Sequence, residues 1–145
     1  MKELIYQSIA YRLLPIMKSI MVYNGLPEDE NKTLTDYPAI YVEFADIKYN
    51  RVSENEREAS YTLNLHIVFQ SLQDSAIRKD TDVSKRLTAE NQILTQTKQL
   101  LSGWKPETAD SEMELESEMQ DTEHSALSVW VQQWTFIATE CINKL

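Results

Sequence analysis

The sequence predicts a single α+β domain over residues 1–145, with a mainly antiparallel sheet of four or five strands and two helices packed on one face. Its composition, 42% hydrophobic and 26% charged over 145 residues, suits one folded domain. Two segments carry apolar residues at helical spacing, and several others alternate apolar with polar residues. Two helices covering one face of the sheet would bury the apolar sides of both.

Residues 2–22 are predicted to form the first helix, because apolar side chains recur at three- and four-residue spacing. These are Leu4, Ile5, Ile9, Leu13, Ile16, Met17 and Ile20. Pro15 lies inside the pattern and removes a backbone donor, so the helix should kink or divide into two shorter helices. Residues 23–38 are predicted to be a loop, since Asn24-Gly25, Pro27 and Pro38 interrupt them.

The next segments predict strands. Residues 39–44 place Ile40, Val42 and Phe44 on one face, and a weaker strand is expected over 47–52. Residues 53–59 contain no large apolar side chain and predict an exposed hairpin tip. Residues 61–70 alternate strictly between apolar and other residues, from Tyr61 to Phe69, so their register should be firmly fixed.

A polar connection over 71–80 should lead into a second helix from about Asp82 to Leu101, with Thr81 or Asp82 as its N-cap and Gly103 as its stop. Its apolar stripe consists of Val83, Leu87, Leu94 and Leu101, joined by Ile93 and Leu100. The last predicted strand spans 127–138, before a polar tail over 139–145. It places Leu127, Val129 and Val131 on one face and Trp130, Trp134 and Phe136 on the other, with a bulge expected at Gln132-Gln133.

An acidic stretch precedes that last strand. Glu112, Glu114, Glu116 and Glu118 alternate with other residues, which predicts a strand with four carboxylates on one face. One interpretation is a solvated edge strand, whose charges block unwanted strand addition. The other is a docking surface for a basic partner, which the cost of aligning like charges favours slightly.

The outward face of the sheet offers a second candidate surface. If Ile40, Leu63, Leu65 and Ile67 face the helices, then the outward residues should be Tyr41, His66, Val68, and Trp130 or Trp134. Either the sheet curls so that both of its faces are covered, or a partner covers the outward face, since Trp and Tyr are enriched at interfaces. The alternative is that the tryptophans are ordinary core residues.

Several function classes are disfavoured by the residues present. The net charge of −9 argues against binding to nucleic acid and to anionic membranes. Cys141, His66 and His124 form no nucleophilic or zinc-binding pattern, and two glycines are too few for a phosphate loop. We therefore expect no enzymatic activity, metal or cofactor, although an enzyme that uses scattered carboxylates stays as a third hypothesis.

The N-terminal apolar residues are interrupted by polar ones, and no apolar run approaches the length of a membrane-spanning helix. We therefore expect a cytoplasmic protein that is not secreted by a signal peptide. The single cysteine, Cys141, fits a reducing compartment.

Two motifs carry a family resemblance. The first strand is entered through Tyr37-Pro38-Ala39-Ile40-Tyr41-Val42, and Tyr61-Thr62-Leu63-Asn64-Leu65-His66-Ile67 follows a polar hairpin. With the N-terminal helix, the later helix and the final pair of strands, this layout resembles the tail-terminator (tail-completion) proteins of long-tailed bacteriophages and prophages. The resemblance covers most of the chain in layout and length.

The resemblance implies a structural virion-assembly protein without catalytic residues. Such proteins form rings, usually hexameric, that cap the tail tube, stop its polymerisation and join the head or neck. It also implies assembly in the host cytoplasm and a final location in the virion tail. The family's central hairpin, which takes part in ring or tube contacts, corresponds loosely to residues 53–59 here.

The candidate partner-binding residues lie in three places: Glu54, Glu56 and Arg57 in the hairpin, Glu112, Glu114, Glu116 and Glu118 in the acidic stretch, and Tyr41 and Trp130 on the sheet. The expected partners are further copies of the chain, tail-tube proteins and head or neck proteins. The alternative function is an acidic immunity or inhibitor protein that binds a basic toxin or nuclease. That alternative predicts a monomer or dimer in a one-to-one complex.

Overall fold

A computed structural model describes residues 1–25, 36–70, 80–123 and 127–141, with side chains from residue 84 onward in the second helix. The elements are α1 (Lys2–Leu13), β1 (Ser19–Val22), β2 (Ala39–Arg51), β3 (Glu56–Gln70), α2 (Asp80–Leu101), β4 (Glu114–Asp121) and β5 (Leu127–Cys141). Most of the predicted loop over 23–38 and of the connection over 71–80, and the end of the predicted tail, lie outside the described residues.

The α+β class is confirmed, and the strands form one sheet in the order β1-β2-β3-β5-β4. The sheet is mixed, because β1 runs parallel to β2 while the other three pairings are antiparallel. The expected mainly antiparallel sheet therefore gains a parallel edge strand that the sequence pattern did not predict.

The prediction of one long N-terminal helix was wrong. Helix α1 ends at Leu13, whose carbonyl accepts hydrogen bonds from the backbone amides of Ile16 and Met17. Pro15 has no amide hydrogen to continue the helical ladder. The amide of Lys18 instead donates to the carbonyl of Pro38 at 2.9 Å, which starts the pairing of β1 with β2.

The β2–β3 hairpin is longer than predicted. The two strands expected over 39–44 and 47–52 are one strand, interrupted only by a register shift between Phe44 and Asp46. Strand β3 begins at Glu56, so the expected hairpin tip over 53–59 shrinks to the residues between Arg51 and Glu56. Residues 57–59 are paired on both sides, with β2 and β5, although Ala59 is the one apolar residue among them.

Strand β5 has the predicted faces but lacks the predicted bulge. Leu127, Val129 and Val131 lie on one face, and Trp130, Trp134 and Phe136 on the other. The bulge expected at Gln132-Gln133 was wrong, since β3 and β5 pair without interruption from Glu56–Cys141 to Gln70–Leu127. The irregularity lies in β4 instead, between Leu115 and Ser117.

Helix α2 begins at Asp80, so Thr81 and Asp82 lie within it and are not its N-cap as predicted. Leu94 and Leu101 are buried as expected, but Leu87 is 51% exposed and does not join the core. Gly103 follows the helix with a φ of +73°, the left-handed conformation that suits glycine at a helix end. No helix in the described parts of the chain is both long and apolar enough to cross a membrane.

The main hydrophobic core lies between the two helices and one face of the sheet, which we call the helix face. Ile5, Ile9 and Leu13 of α1 and Leu94 and Leu101 of α2 pack against it. The opposite face, called the outer face, carries a smaller cluster formed by Ala39, Tyr41, Val68, Leu127 and Val129. The predicted placement of both helices on one face of the sheet is confirmed.

Candidate functional site

The sheet extends beyond the core as an arm, which we define as residues 48–58 and 139–141. All of these residues are described, and none of them contributes to either hydrophobic cluster. Two large apolar side chains are nevertheless exposed here, Tyr49 at 45% and Val52 at 62%. Exposed apolar groups on a projecting element are a common feature of protein-interaction surfaces.

Backbone pairing makes the arm a regular element. Arg51 pairs with Arg57 across the hairpin, and Glu56 pairs with Cys141 on the other side of β3. At the tip, the amides of Val52 and Ser53 donate to the carbonyl of Glu56 at 3.0 and 3.1 Å. The Ser53 hydroxyl oxygen accepts from the amides of Asn55 and Glu56, which closes the turn.

Arg57 organises the base of the arm. Its Nε donates to Glu140 Oε2 at 3.0 Å, and its terminal nitrogen lies 2.9 Å from the same oxygen. The guanidinium also lies over the Tyr49 ring, 4.2 Å from the ring centroid. Arg57, a predicted partner-binding residue, therefore holds Tyr49 and the end of β5 in place.

The hydroxyl of Tyr61 completes this group by donating to Glu140 Oε1 at 3.0 Å. Burial of the ring, followed by the hydrogen bond to the Glu140 carboxylate and its charge, raises the pKa of Tyr61 well above the usual value. Tyr61 also stacks on Phe136, with ring centroids 5.1 Å apart. The arm is thus attached to the core through a neutral phenol that donates to a carboxylate.

The expectation of four carboxylates on one strand face was wrong. Glu118 pairs opposite Gln132 on the helix face, because the irregularity between Leu115 and Ser117 shifts the alternation of β4 by one residue. Its Oε2 accepts from Gln132 Nε2 at 2.8 Å, and its Oε1 lies 3.3 Å from Lys98 Nζ of α2. Glu118 therefore connects the sheet to helix α2, and it is not part of the docking surface predicted from the sequence.

The other three carboxylates are exposed. Glu112 precedes β4, and Glu114 pairs opposite Thr135 on the outer face. Glu116 lies at the irregularity, where its Oε1 accepts from the Thr135 hydroxyl at 2.9 Å. A surface of three carboxylates remains beside the sheet edge, and we call Glu112, Glu114 and Glu116 the acidic patch.

The two aromatic candidates on the sheet are not exposed. Trp130 lies on the helix face opposite Ile67 and packs against the main core, contrary to the outward direction considered for it. Trp134 is fully buried on the same face. Tyr41 is on the outer face as expected, but it is only 6% exposed and belongs to the smaller cluster. Tyr41 is therefore buried, and Trp130 is partly buried against the helix face.

A polar network crosses the outer face beside that cluster. Glu43 Oε1 lies 2.9 Å from His66 Nε2 and accepts from Asn64 Nδ2 at 3.2 Å. The His66 ring is stacked on Tyr23, with centroids 4.1 Å apart. The described residues contain no group of three or more His, Cys, Asp or Glu side chains that could hold a metal ion.

The sequence predicted that Glu54 and Glu56 lie on an exposed hairpin, and both side chains are exposed in the structure. Sequence reasoning missed Tyr49, Val52 and Glu140. Tyr49 and Val52 both lie in the weaker strand predicted over 47–52, and their apolar side chains in that polar segment were the available signal. Glu140 lay in the predicted tail, and only its pairing with Arg57 reveals its role.

No protein-family model matches the chain, and a comparison with curated proteins finds no match either.

Proposed function

We propose that this protein is a structural assembly protein of a phage or prophage, one that forms a ring capping the tail tube and joins the tube to the head or neck. The observation that carries the proposal is the arm, which presents Tyr49 and Val52 to solvent on a regular, hydrogen-bonded element. A preordered surface loses little conformational entropy when it binds, so it suits a repeated contact.

The charges of the arm favour contact between copies. The chain as a whole carries −9, so two copies repel each other unless they meet through a locally balanced surface. The arm contains three basic residues (Lys48, Arg51, Arg57) and four acidic ones (Glu54, Glu56, Glu58, Glu140), so it carries only −1 of the chain's net charge. An arm that packs on a different surface of the next copy makes a heterologous contact, which is the type that closes into rings.

The proposal is tested by the solution mass, measured by light scattering after size exclusion over a range of protein and salt concentrations. The protein is measured alone and with a tail-tube protein. We expect a closed ring of roughly six subunits, as the resemblance implies. Val52→Asp should prevent ring formation, because it places a charge in the contact. Leu87→Asp is the matched control, since Leu87 is also exposed, at 51%, but lies on α2.

If the ring forms equally well in both variants, the arm is not part of the contact between subunits. A strict monomer, both alone and with the tube protein, would contradict the proposal itself.

The acidic patch favours a second candidate, an acidic immunity or inhibitor protein for a basic toxin or nuclease. Exposed carboxylates can attract such a partner and dock on it. The mass of the complex separates the two functions, because an inhibitor forms a one-to-one complex and a tail terminator forms a ring.

A further inference from the structure

A pocket of about 270 Å³ lies between α2, the start of β2 and the end of β3. Among the described residues, Tyr37, Pro38, Phe69 and Gln70 line its sheet side, and Arg86, Ala89, Glu90 and Ile93 line its helix side. The pocket is separate from the arm and from the acidic patch. The described part of its lining is largely apolar, and the two charged residues in that part, Arg86 and Glu90, stand one helical turn apart.

Glu90 is an unusual residue at this place. It is only 5% exposed, and its Oε1 atom is buried without a hydrogen-bond partner in the described parts of the chain. Among the described residues, the buried Nε of Arg86 also has no partner, and no ion pair joins the two side chains. Buried polar groups are nearly always hydrogen-bonded, and leaving a charged one unsatisfied is destabilising. A ligand that forms hydrogen bonds with both Glu90 and Arg86 would remove this destabilisation.

The two residues define what that ligand must offer. Glu90 needs a donor and Arg86 needs an acceptor. A lone ammonium group would suit Glu90 but face the like charge of Arg86, and a lone carboxylate would have the opposite problem. A neutral group that both donates and accepts meets both needs, and an apolar stem would fill the space between Pro38, Phe69 and Ile93.

We propose that this pocket binds a carboxamide on an apolar stem, the chemistry of a glutamine side chain, with its NH₂ donating to Glu90 and its carbonyl oxygen accepting from Arg86. The inference does not rest on the proposed ring, because it uses neither the arm nor the acidic patch. The same chemistry could come from a side chain of a partner protein or from free glutamine.

The test is to titrate the isotope-labelled full chain with small probe molecules. Two-dimensional NMR monitors binding through the backbone amide signals of α2. The probe is N-acetyl-L-glutamine methylamide, which imitates a glutamine within a protein. The matching apolar probe is N-acetyl-L-methionine methylamide, and free L-glutamine serves as the third ligand. We expect the capped glutamine to shift the signals around Arg86 and Glu90, with binding at least about tenfold tighter than the methionine probe.

Free glutamine should bind no more tightly than the capped form, because the site provides no further groups for its charged ends. Much tighter binding of free glutamine would overturn the protein-borne source and indicate an amino-acid site. Equal shifts with the methionine probe would overturn the carboxamide proposal, since the pocket would then be only an apolar recess.

Variants supply an independent measurement. Glu90→Met should abolish the preference for the glutamine probe, whereas Glu90→Gln keeps an acceptor oxygen and should retain part of it. Glu90→Met should also raise the thermal midpoint of the free protein by about 3 °C, because it removes an unsatisfied buried carboxylate. If Glu90→Met and Arg86→Met instead both lower the midpoint, the two residues stabilise the fold directly and the binding proposal fails.

Discussion

Gln132 Nε2 donates a hydrogen bond to Glu118 Oε2 at 2.8 Å, between two residues that are paired across β5 and the edge strand β4. The same nitrogen donates to the carbonyl of Leu94 at 3.2 Å, and Trp134 Nε1 donates to Gln132 Oε1. A fully buried glutamine thus joins a helix, a central strand and an edge strand. Glu118 is the only one of the four alternating glutamates that takes part in these contacts, because β4 changes register before it.

This network predicts unequal effects of two similar substitutions. Glu118→Leu should lower the free energy of unfolding by about 1–3 kcal/mol, because it leaves the buried amide of Gln132 short of an acceptor and Lys98 without its partner. Glu114→Leu should change it by less than about 0.5 kcal/mol, since Glu114 is exposed. Urea denaturation measures both values. Equal changes in the free energy of unfolding would mean that the contacts of Glu118 contribute no more to stability than the exposed Glu114 does.

Two leucines of α2 test the corrected helix face. Leu94 is 3% exposed within the main core, and Leu87 is 51% exposed. Leu94→Ala should cost about 2–5 kcal/mol through lost burial and a cavity, whereas Leu87→Ala should cost less than about 0.5 kcal/mol. Thermal and urea denaturation of the two variants give the comparison. A large loss of stability for Leu87→Ala would show that Leu87 belongs to the buried apolar stripe predicted from the sequence.

The phenol of Tyr61 predicts a loss of stability at high pH. Its pKa is raised in the folded protein, first by burial and then by the Glu140 carboxylate, so the folded state holds the proton after the unfolded chain has released it. This contribution is present below about pH 10, the usual pKa of tyrosine, and is lost as the pH rises further. The expected slope from this residue is up to about 1.4 kcal/mol per pH unit.

The measurement is the midpoint of urea unfolding, monitored by circular dichroism at several values between about pH 8 and pH 11.5. Tyr61→Phe should make the decline shallower, because the variant has no phenol at this position to ionise. Tyr11→Phe is the control, since the Tyr11 side chain is 82% exposed, and it should leave the decline unchanged. Identical slopes in the wild type and Tyr61→Phe would show that ionisation of Tyr61 is not linked to unfolding.

The acidic patch predicts salt-dependent docking. The triple variant Glu112→Gln, Glu114→Gln and Glu116→Gln, with Glu118 kept, should leave the fold intact and weaken binding to the partner protein, which is a tail-tube or neck protein under the first proposal and a basic toxin or nuclease under the second. The remaining binding should also depend less on salt, since fewer charge pairs form at the contact. Calorimetry at several salt concentrations measures both quantities. If affinity and salt dependence stay the same, the patch is a solvated edge that only prevents strand addition.

Local periodicity predicted the parts of the fold that depend on which side chains share a face. The alternation from Tyr61 to Phe69 identified β3 and its apolar side, and the two faces of β5 followed from Trp130, Trp134 and Phe136. The apolar spacing of the helices and the stop at Gly103 likewise placed two helices on one face of the sheet. These features are local because side-chain direction repeats every two residues in a strand and every 3.6 in a helix.

Periodicity alone did not decide which elements pair. Ile20 suits a helix as well as a strand, and the hydrogen bond from Lys18 to Pro38 starts the pairing that places it in β1. The hairpin residues around Arg57 look like a loop in the sequence, but β2 and β5 pair with them on both sides.

The candidate sites show the same division. The sequence by itself determined that the chain is strongly acidic, that Glu54 and Glu56 lie on a polar hairpin, and that β3 has one apolar side. Only the tertiary structure decided that Glu118 turns inward, that Tyr41 is buried, that Trp130 lies on the helix face, and that Glu90 lines a pocket. The physical reason is that a one-residue register shift reverses every later side chain in a strand, and that burial depends on elements distant in the chain.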